Sequence, residues 1–356
     1  MDEIRNLLAI VKEYNGVGIE EYRLAQGERN EIRDLLGMNV EGSPCADGRN
    51  WLNECFGFPV GVISEYPSIG AILDPGWTPV RNNLYRTWKW CLDQTPKRRN
   101  LFLATYHYSS GGHGNCAGHG DDIEASIRSA WEFRRKYAEC FPAKFSMAGV
   151  WGFDTDNDLA TIHSYDDPAA TLKIADYLER PDNELASDVK ALFPSTHPQI
   201  VNGIAVLAQY NLAHAREIIN NPRTPDEVGH NENGIVVGVG SGVSIAPRDL
   251  MLRVGCYSPH MVEPLQKAAS VIATNRRRHK TPPGQNPLLL ATGTFFDSSG
   301  PDALLAKQEA RSLANMAKEI VLEAEPKLAK VLEIALGIVH HHDRSLEIFE
   351  TYSAIA

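Results

Sequence analysis

The 356-residue sequence lacks any uninterrupted apolar run approaching the roughly 18–20 residues of a membrane-spanning helix. It also lacks a basic excess. Thirty-five Lys and Arg stand against 45 Asp and Glu, for a formal net charge of −10. That balance excludes the wide basic face needed to hold nucleic acid or an anionic membrane. The first residues, Met1 to Ile10, read as an amphipathic helix without the basic start and cleavage site of a signal peptide. The expected location is therefore the cytoplasm. Cysteine is scarce: there are six, and no two form a C-x-x-C box. A chain this long buries most of its apolar surface without disulfide staples. Reduced cytoplasmic thiols are then free for metal or catalysis.

What is present is an alternation of strand and helix. The length predicts about two domains. Apolar positions Ile4, Leu7, Leu8 and Val11 mark a helical face, and a second helical stretch ends near Gly37. A strand is expected over Val60–Ile63 and a helix over Val80–Trp90. The run from Leu101 to His107 predicts a strand buried on both faces, feeding a Gly-rich loop, Ser109 to Gly120. Asp121 and Asp122 suit the start of the helix that follows. A further strand is expected over Phe145–Phe153, ending in the acidic turn Asp154–Asp158. Helices are expected over 169–179, 200–220 and 326–339. This pattern predicts an α/β fold with a largely parallel sheet flanked by helices.

The C-terminal third repeats part of the pattern. Leu288–Thr292 (L-L-L-A-T) matches Leu101–Thr105 (L-F-L-A-T) at four of five positions, and both lead through a Ser/Gly loop into a long helix. Thr294 stands where His107 stands in the first copy, and no cysteine follows it as Cys116 follows His107. Nor does the segment Ile235–Ser244 hold a thiol to match Cys45. Three metal-binding side chains absent together from the second copy point to a metal site in the first. Cys45, His107 and Cys116 all fall at or just past the C-terminal ends of expected strands, where binding crevices form in open α/β sheets. Two thiolates and one imidazole suit Zn²⁺ and leave a fourth position for water. His113 and His119, in the same Gly-rich loop, compete with His107 for the ligand role. Cys55, Cys91, Cys140 and Cys256 read as small buried hydrophobes.

The segments S-P-C-A-D-G-R at Ser43–Arg49, Y-H at Tyr106–His107 and H-G-N-C-A-G-H-G at His113–Gly120 resemble the carboxysomal carbonic anhydrases, the divergent beta-class branch called epsilon. G-F-D-T-D-N-D at Gly152–Asp158 and V-G-H-N-E at Val228–Glu232 agree. The resemblance implies a beta-carbonic-anhydrase-like fold with a degenerate second copy in the C-terminal part. It divides the chain into a helical segment 1–39, a zinc catalytic domain 40–222 and a degenerate domain 223–356. It implies Cys45, His107 and Cys116 as zinc ligands, and Asp47 and Arg49 as a dyad. His230 takes a family position near the active site. The implied reaction is reversible hydration of CO2 to bicarbonate by a zinc-bound hydroxide, with Asp47 orienting the zinc water and Arg49 holding Asp47. Another zinc lyase or hydrolase on the same scaffold, or a decayed non-catalytic scaffold protein, are the alternatives.

Only 44 residues precede Cys45, where the family carries a larger helical domain and a flexible extension. Rubisco or the carboxysome shell are therefore conditional partners, and the carboxysome an alternative to the cytoplasm. A homodimer or higher homo-oligomer is expected, through apolar faces on helices 2–14 and 326–339. Gly70 is expected either to bring a backbone amide toward the substrate or to serve as a plain loop glycine. His230 is expected either to relay protons, since an unperturbed imidazole titrates near about 6.5, or to be a helix-flanking, hydrogen-bonded histidine. G-V-G-S-G-V at Gly238–Val243 fails as a dinucleotide loop, because Val243 or Ile245 sits at the last glycine position. The basic run Arg276–Lys280 reads as a solvated turn.

Overall fold

The computed structural model describes residues 26–45, 51–59, 62–94, 96–165, 167–222, 236–240, 251–254, 262–277, 286–296, 300–340 and 346–354. They form two compact units. One takes the described residues from Gln26 to Tyr66 and from Gly70 to Pro222; the other takes 67–69 and those from Val236 on.

The first unit is built on a six-stranded sheet. Its strands are β1 (Met38–Ser43), β2 (Ser64–Glu65), β3 (Arg99–Tyr108), β4 (Ser146–Asp154), β5 (Ala160–His163) and β6 (Thr171–Lys173). Their order is β2-β1-β3-β4-β5-β6. The first four are parallel, and β5 and β6 are antiparallel. The helices are α1 (Gln26–Leu36), α2 (Leu52–Cys55), α3 (Thr78–Asp93), α4 (Ile123–Cys140), α5 (Asp182–Leu192) and α6 (Pro198–Asn220). β3 is buried from Asn100 to His107, which is why its sequence reads as a continuous apolar run rather than an alternation.

Alternate residues of β3 face opposite sides. On one side Leu101 and Leu103 join Met38, Trp151 and Phe153 in a core with Ile204, Leu207 and Leu212 of α6. α6 comes so close at Gly203 that a Cβ there would fall 2.3 Å from Met38 Cε and 2.9 Å from the Leu36 carbonyl oxygen. On the other side Phe102 stacks on Phe133 of α4 with ring centroids 4.8 Å apart. Asp122 caps α4, its side chain accepting from the Ala125 amide, as the acidic pair before the helix predicts. The buried Glu41 carboxylate accepts from the Tyr66 hydroxyl (2.8 Å) and from Asn100 Nδ2 (3.1 Å), consistent with the general pairing of buried polar groups.

The second unit has strands β7 (Val236–Val239), β8 (Met251–Val254), β9 (Leu288–Phe295), β10 (Glu333–His340) and β11 (Leu346–Ser353), with helices α7 (Val262–Arg277) and α8 (Gly300–Ala324). The order is β11-β10-β9-β7-β8, with only β11 antiparallel to its neighbour. This repeats the order β5-β4-β3-β1-β2. The register repeats too. Ser43 pairs with Ala104 in one sheet and Val239 with Ala291 in the other. The next residue's hydroxyl bonds back across the same pair: Thr105 Oγ1 donates to the Ser43 carbonyl at 2.7 Å, Thr292 Oγ1 to the Val239 carbonyl at 3.4 Å. The two L-x-L-A-T runs thus hold the same place in two sheets of one topology.

Three expected elements differ. Residues 169–179 are not a helix: β6 and a 3-10 turn, Ile174–Tyr177, occupy them. Residues 326–339 are not a helix either. A short 3-10 turn, Pro326–Lys330, leads into β10, whose Ile334, Leu336 and Ile338 are core. The apolar face expected there for association is therefore buried inside the sheet. The strand expected over 60–63 appears one step later, as β2. The N-terminal helix 2–14 lies outside the described residues. Among the described residues, no helix is long and apolar enough to cross a membrane.

Candidate metal centre

Three side chains converge at the C-terminal ends of β1 and β3. Pro44 ends the β1 ladder, and Cys45 follows it. His107 sits near the end of β3, on the pleat face it shares with Leu101 and Leu103. Cys116 closes the Gly-rich loop, just before a 3-10 turn, Ala117–His119. All three are buried, with 5%, 1% and 2% of their surface exposed. Their ligand atoms lie within 4.8 Å of one another, and the two sulfurs are 3.8 Å apart. Among the described residues this is the one group of His, Cys, Asp or Glu side chains arranged to hold a metal ion.

The electrostatics favour a cation at that point. The neighbouring Cys116 thiol, by hydrogen bonding, and then burial push the Cys45 thiol well above its ordinary range, while His107 pulls the other way. Two thiols packed together out of water resist ionisation because each thiolate would face the other. A divalent ion between them removes that obstacle, since thiolate is the ligating form. The donor set therefore fits a thiophilic divalent metal.

The competing histidines are engaged elsewhere. His113 is half exposed, with Nδ1 2.6 Å from Asp156 Oδ1. His119 Nε2 donates to the Gly70 carbonyl at 2.9 Å. The Gly70 amide donates to Cys45 Sγ at 3.3 Å. Asp47, Arg49 and His230 lie outside the described residues, as does Cys256. Cys55 and Cys91 are buried and Cys140 is half-buried, all as free thiols.

The acidic turn after β4 does work that its sequence did not reveal. Asp154 accepts from the Ser110 amide (3.1 Å) and hydroxyl (2.5 Å). Asp156 accepts from the Gly111 amide (2.6 Å) and the Ser109 hydroxyl (2.8 Å) as well as from His113. The two carboxylates thus fasten the loop that carries Cys116. Burial alone would raise Asp156, but the bonds from Gly111, His113 and Ser109 outweigh it and hold its carboxyl below the usual range. Burial leaves Asp154 raised. A motif of three acids near a loop of serines was the only sequence signal available for this clasp.

Behind His107, on the opposite face of β3, Tyr106 bonds His163 Nε2 at 2.9 Å. His163 Nδ1 lies 3.4 Å from the Pro168 carbonyl. A carbonyl only accepts, so Nδ1 carries the proton, and the Tyr106 hydroxyl donates to Nε2.

Residues 35–206 match the family model of the carboxysome shell carbonic anhydrase, catalytic domain. Over that span, a little under half of its length, the chain is similar to the carboxysome shell carbonic anhydrase family. The matched span covers β1 through the first part of α6 and includes Cys45, His107 and Cys116. The catalytic domain of that family is a carbonic anhydrase, a lyase. No curated protein matches the chain.

Proposed function

We propose that Cys45, His107 and Cys116 hold a zinc ion and that reversible hydration of CO2 to bicarbonate takes place beside it. The observation that carries this reading is the buried thiol–imidazole–thiol triangle within 4.8 Å, inside a carbonic anhydrase domain. Two soft donors and one imidazole match zinc, and three protein ligands leave a fourth position open. Bound there, zinc supplies a water whose pKa falls from about 15.7 to about 7, a nucleophile for CO2 at neutral pH.

The chain's own side chains do the rest. Asp47, two residues beyond Cys45, accepts a hydrogen bond from the attacking water and fixes its direction. Arg49 pairs with Asp47 and keeps that carboxylate from closing the open position. His230 passes the released proton toward solvent. The C-A-D-G-R sequence and the V-G-H-N-E segment support these three roles. On the same support, 1–39 is a leading helical segment, 40–222 the catalytic domain and 223–356 its degenerate copy. The protein acts as a homodimer or larger homo-oligomer, and the family supports association with the carboxysome.

The test measures zinc content and stopped-flow CO2 hydration on one sample. Zinc-loaded protein is expected to hydrate CO2, and His107→Ala to lose both metal and activity. Zinc-loaded protein that does no better than the uncatalysed background overturns the reading.

A further inference from the structure

The two thiols of the triangle are joined by more than their own contact. Gly70 occupies the left-handed region, at φ +60 and ψ 18. This conformation sends its amide to Cys45 Sγ, 3.3 Å away, and its carbonyl to His119 Nε2, 2.9 Å away. The imidazole lies so close over Gly70 that a Cβ there would fall 2.7 Å from His119 Nε2 and 2.9 Å from its Cδ2. Glycine is therefore required at position 70 both by its backbone and by its neighbour. His119 is also tied to the backbone of the second cysteine: its amide donates to the Cys116 carbonyl at 3.0 Å. Cys45, Gly70, His119 and Cys116 thus form a closed ring of contacts, completed by the 3.8 Å approach of the two sulfurs.

We propose that His119 is a positioning residue for the metal site: its Nε2–H holds the Gly70 carbonyl and so aims the Gly70 amide at Cys45 Sγ. The inference rests on the zinc reading above. An amide that donates to a ligating sulfur withdraws charge from it, and two thiolate ligands make that correction useful, since they would otherwise hold the pKa of the metal's water high. A carbonyl requires a donor, so Nε2 carries a proton in this contact.

The test compares full-length wild type with His119→Ala and His119→Gln, whose amide nitrogen stands in for Nε2. Zinc affinity is read by competition with a chromophoric chelator, and the thiolate-to-metal charge-transfer band is read on the Co²⁺ form. His119→Ala is expected to bind zinc about 10- to 100-fold more weakly, the usual effect of losing a group that orients a ligand. Its charge-transfer band is expected to move to longer wavelength, because a sulfur without the amide bond gives up electrons more readily. His119→Gln is expected to recover most of both. Gly70→Ala, which displaces the imidazole without touching it chemically, is expected to behave like His119→Ala. Wild-type affinity and an unmoved band in His119→Ala overturn the positioning role while leaving the zinc reading intact. Equal losses in the Ala and Gln variants also overturn it, since general disruption would then explain them. A wild-type protein that takes up no zinc overturns both.

Discussion

At the residue scale the site depends on which proton each histidine carries. His163 is held neutral: burial lowers its pKa from the usual value, and the Tyr106 hydroxyl donates to the nitrogen that acid would protonate. Trp131, edge-on at 6.0 Å, offers it no charge. A histidine whose folded pKa is depressed contributes stability that is present above its unfolded value, about 6.5, and is lost as pH falls through the folded value. Melting temperature is therefore expected to drop as pH falls below about 6.5, and to drop less in His163→Gln. Parallel curves for the two proteins would show that His163 does not couple to folding. His107, on the facing side of the same strand, is decided by geometry instead. Residue type alone left His107, His113 and His119 equivalent, because imidazole chemistry is common to all three.

At the scale of elements, the loop that carries Cys116 is held by a turn from another strand. Asp156 accepts four bonds from the Ser109–His113 segment, so the loop's glycines do not leave Cys116 loosely placed. Asp156→Asn keeps the shape, removes the charge and turns an amide toward groups that donate. Bonds to a charged acceptor are worth about 1.5–3 kcal/mol each. Because the loop is half open to solvent, the expected net loss is about 1–2 kcal/mol in urea unfolding. An unchanged unfolding midpoint would remove the clasp from the account. β10 shows why one element was misread. From Leu328 to Ala335 the apolar spacing suits a helix, whereas Ile334 to Val339 is a continuous apolar run that a helix and a doubly buried strand share. Only the pairing of β10 with β9 along its whole length separates the two. β3 was legible from the same kind of run because turn signals bound it on both sides.

At the scale of the whole molecule, two sheets share an order and a register, yet they differ in metal chemistry. Thr294, three residues past Ala291, takes the place that His107 takes past Ala104. A hydroxyl in place of an imidazole, with no thiol in the loop that follows, makes a poor zinc site. Metal analysis is therefore expected to find one zinc per chain. A stoichiometry of two would mean that the second sheet has kept a site.

The sequence by itself determined the α/β class, the doubled L-x-L-A-T strand and the thiol and imidazole types near strand ends, because these follow from local composition and hydrophobic pattern. It also carried the family resemblance, through short motifs around Cys45 and Cys116. The resemblance implied His107 as the third ligand, but only the tertiary structure showed its ring beside the two sulfurs, with His113 serving the clasp and His119 serving Gly70. The reason is directional. A ligand is chosen by where its ring points, and that is fixed by the pleat of β3 and by contacts with residues far away in the chain.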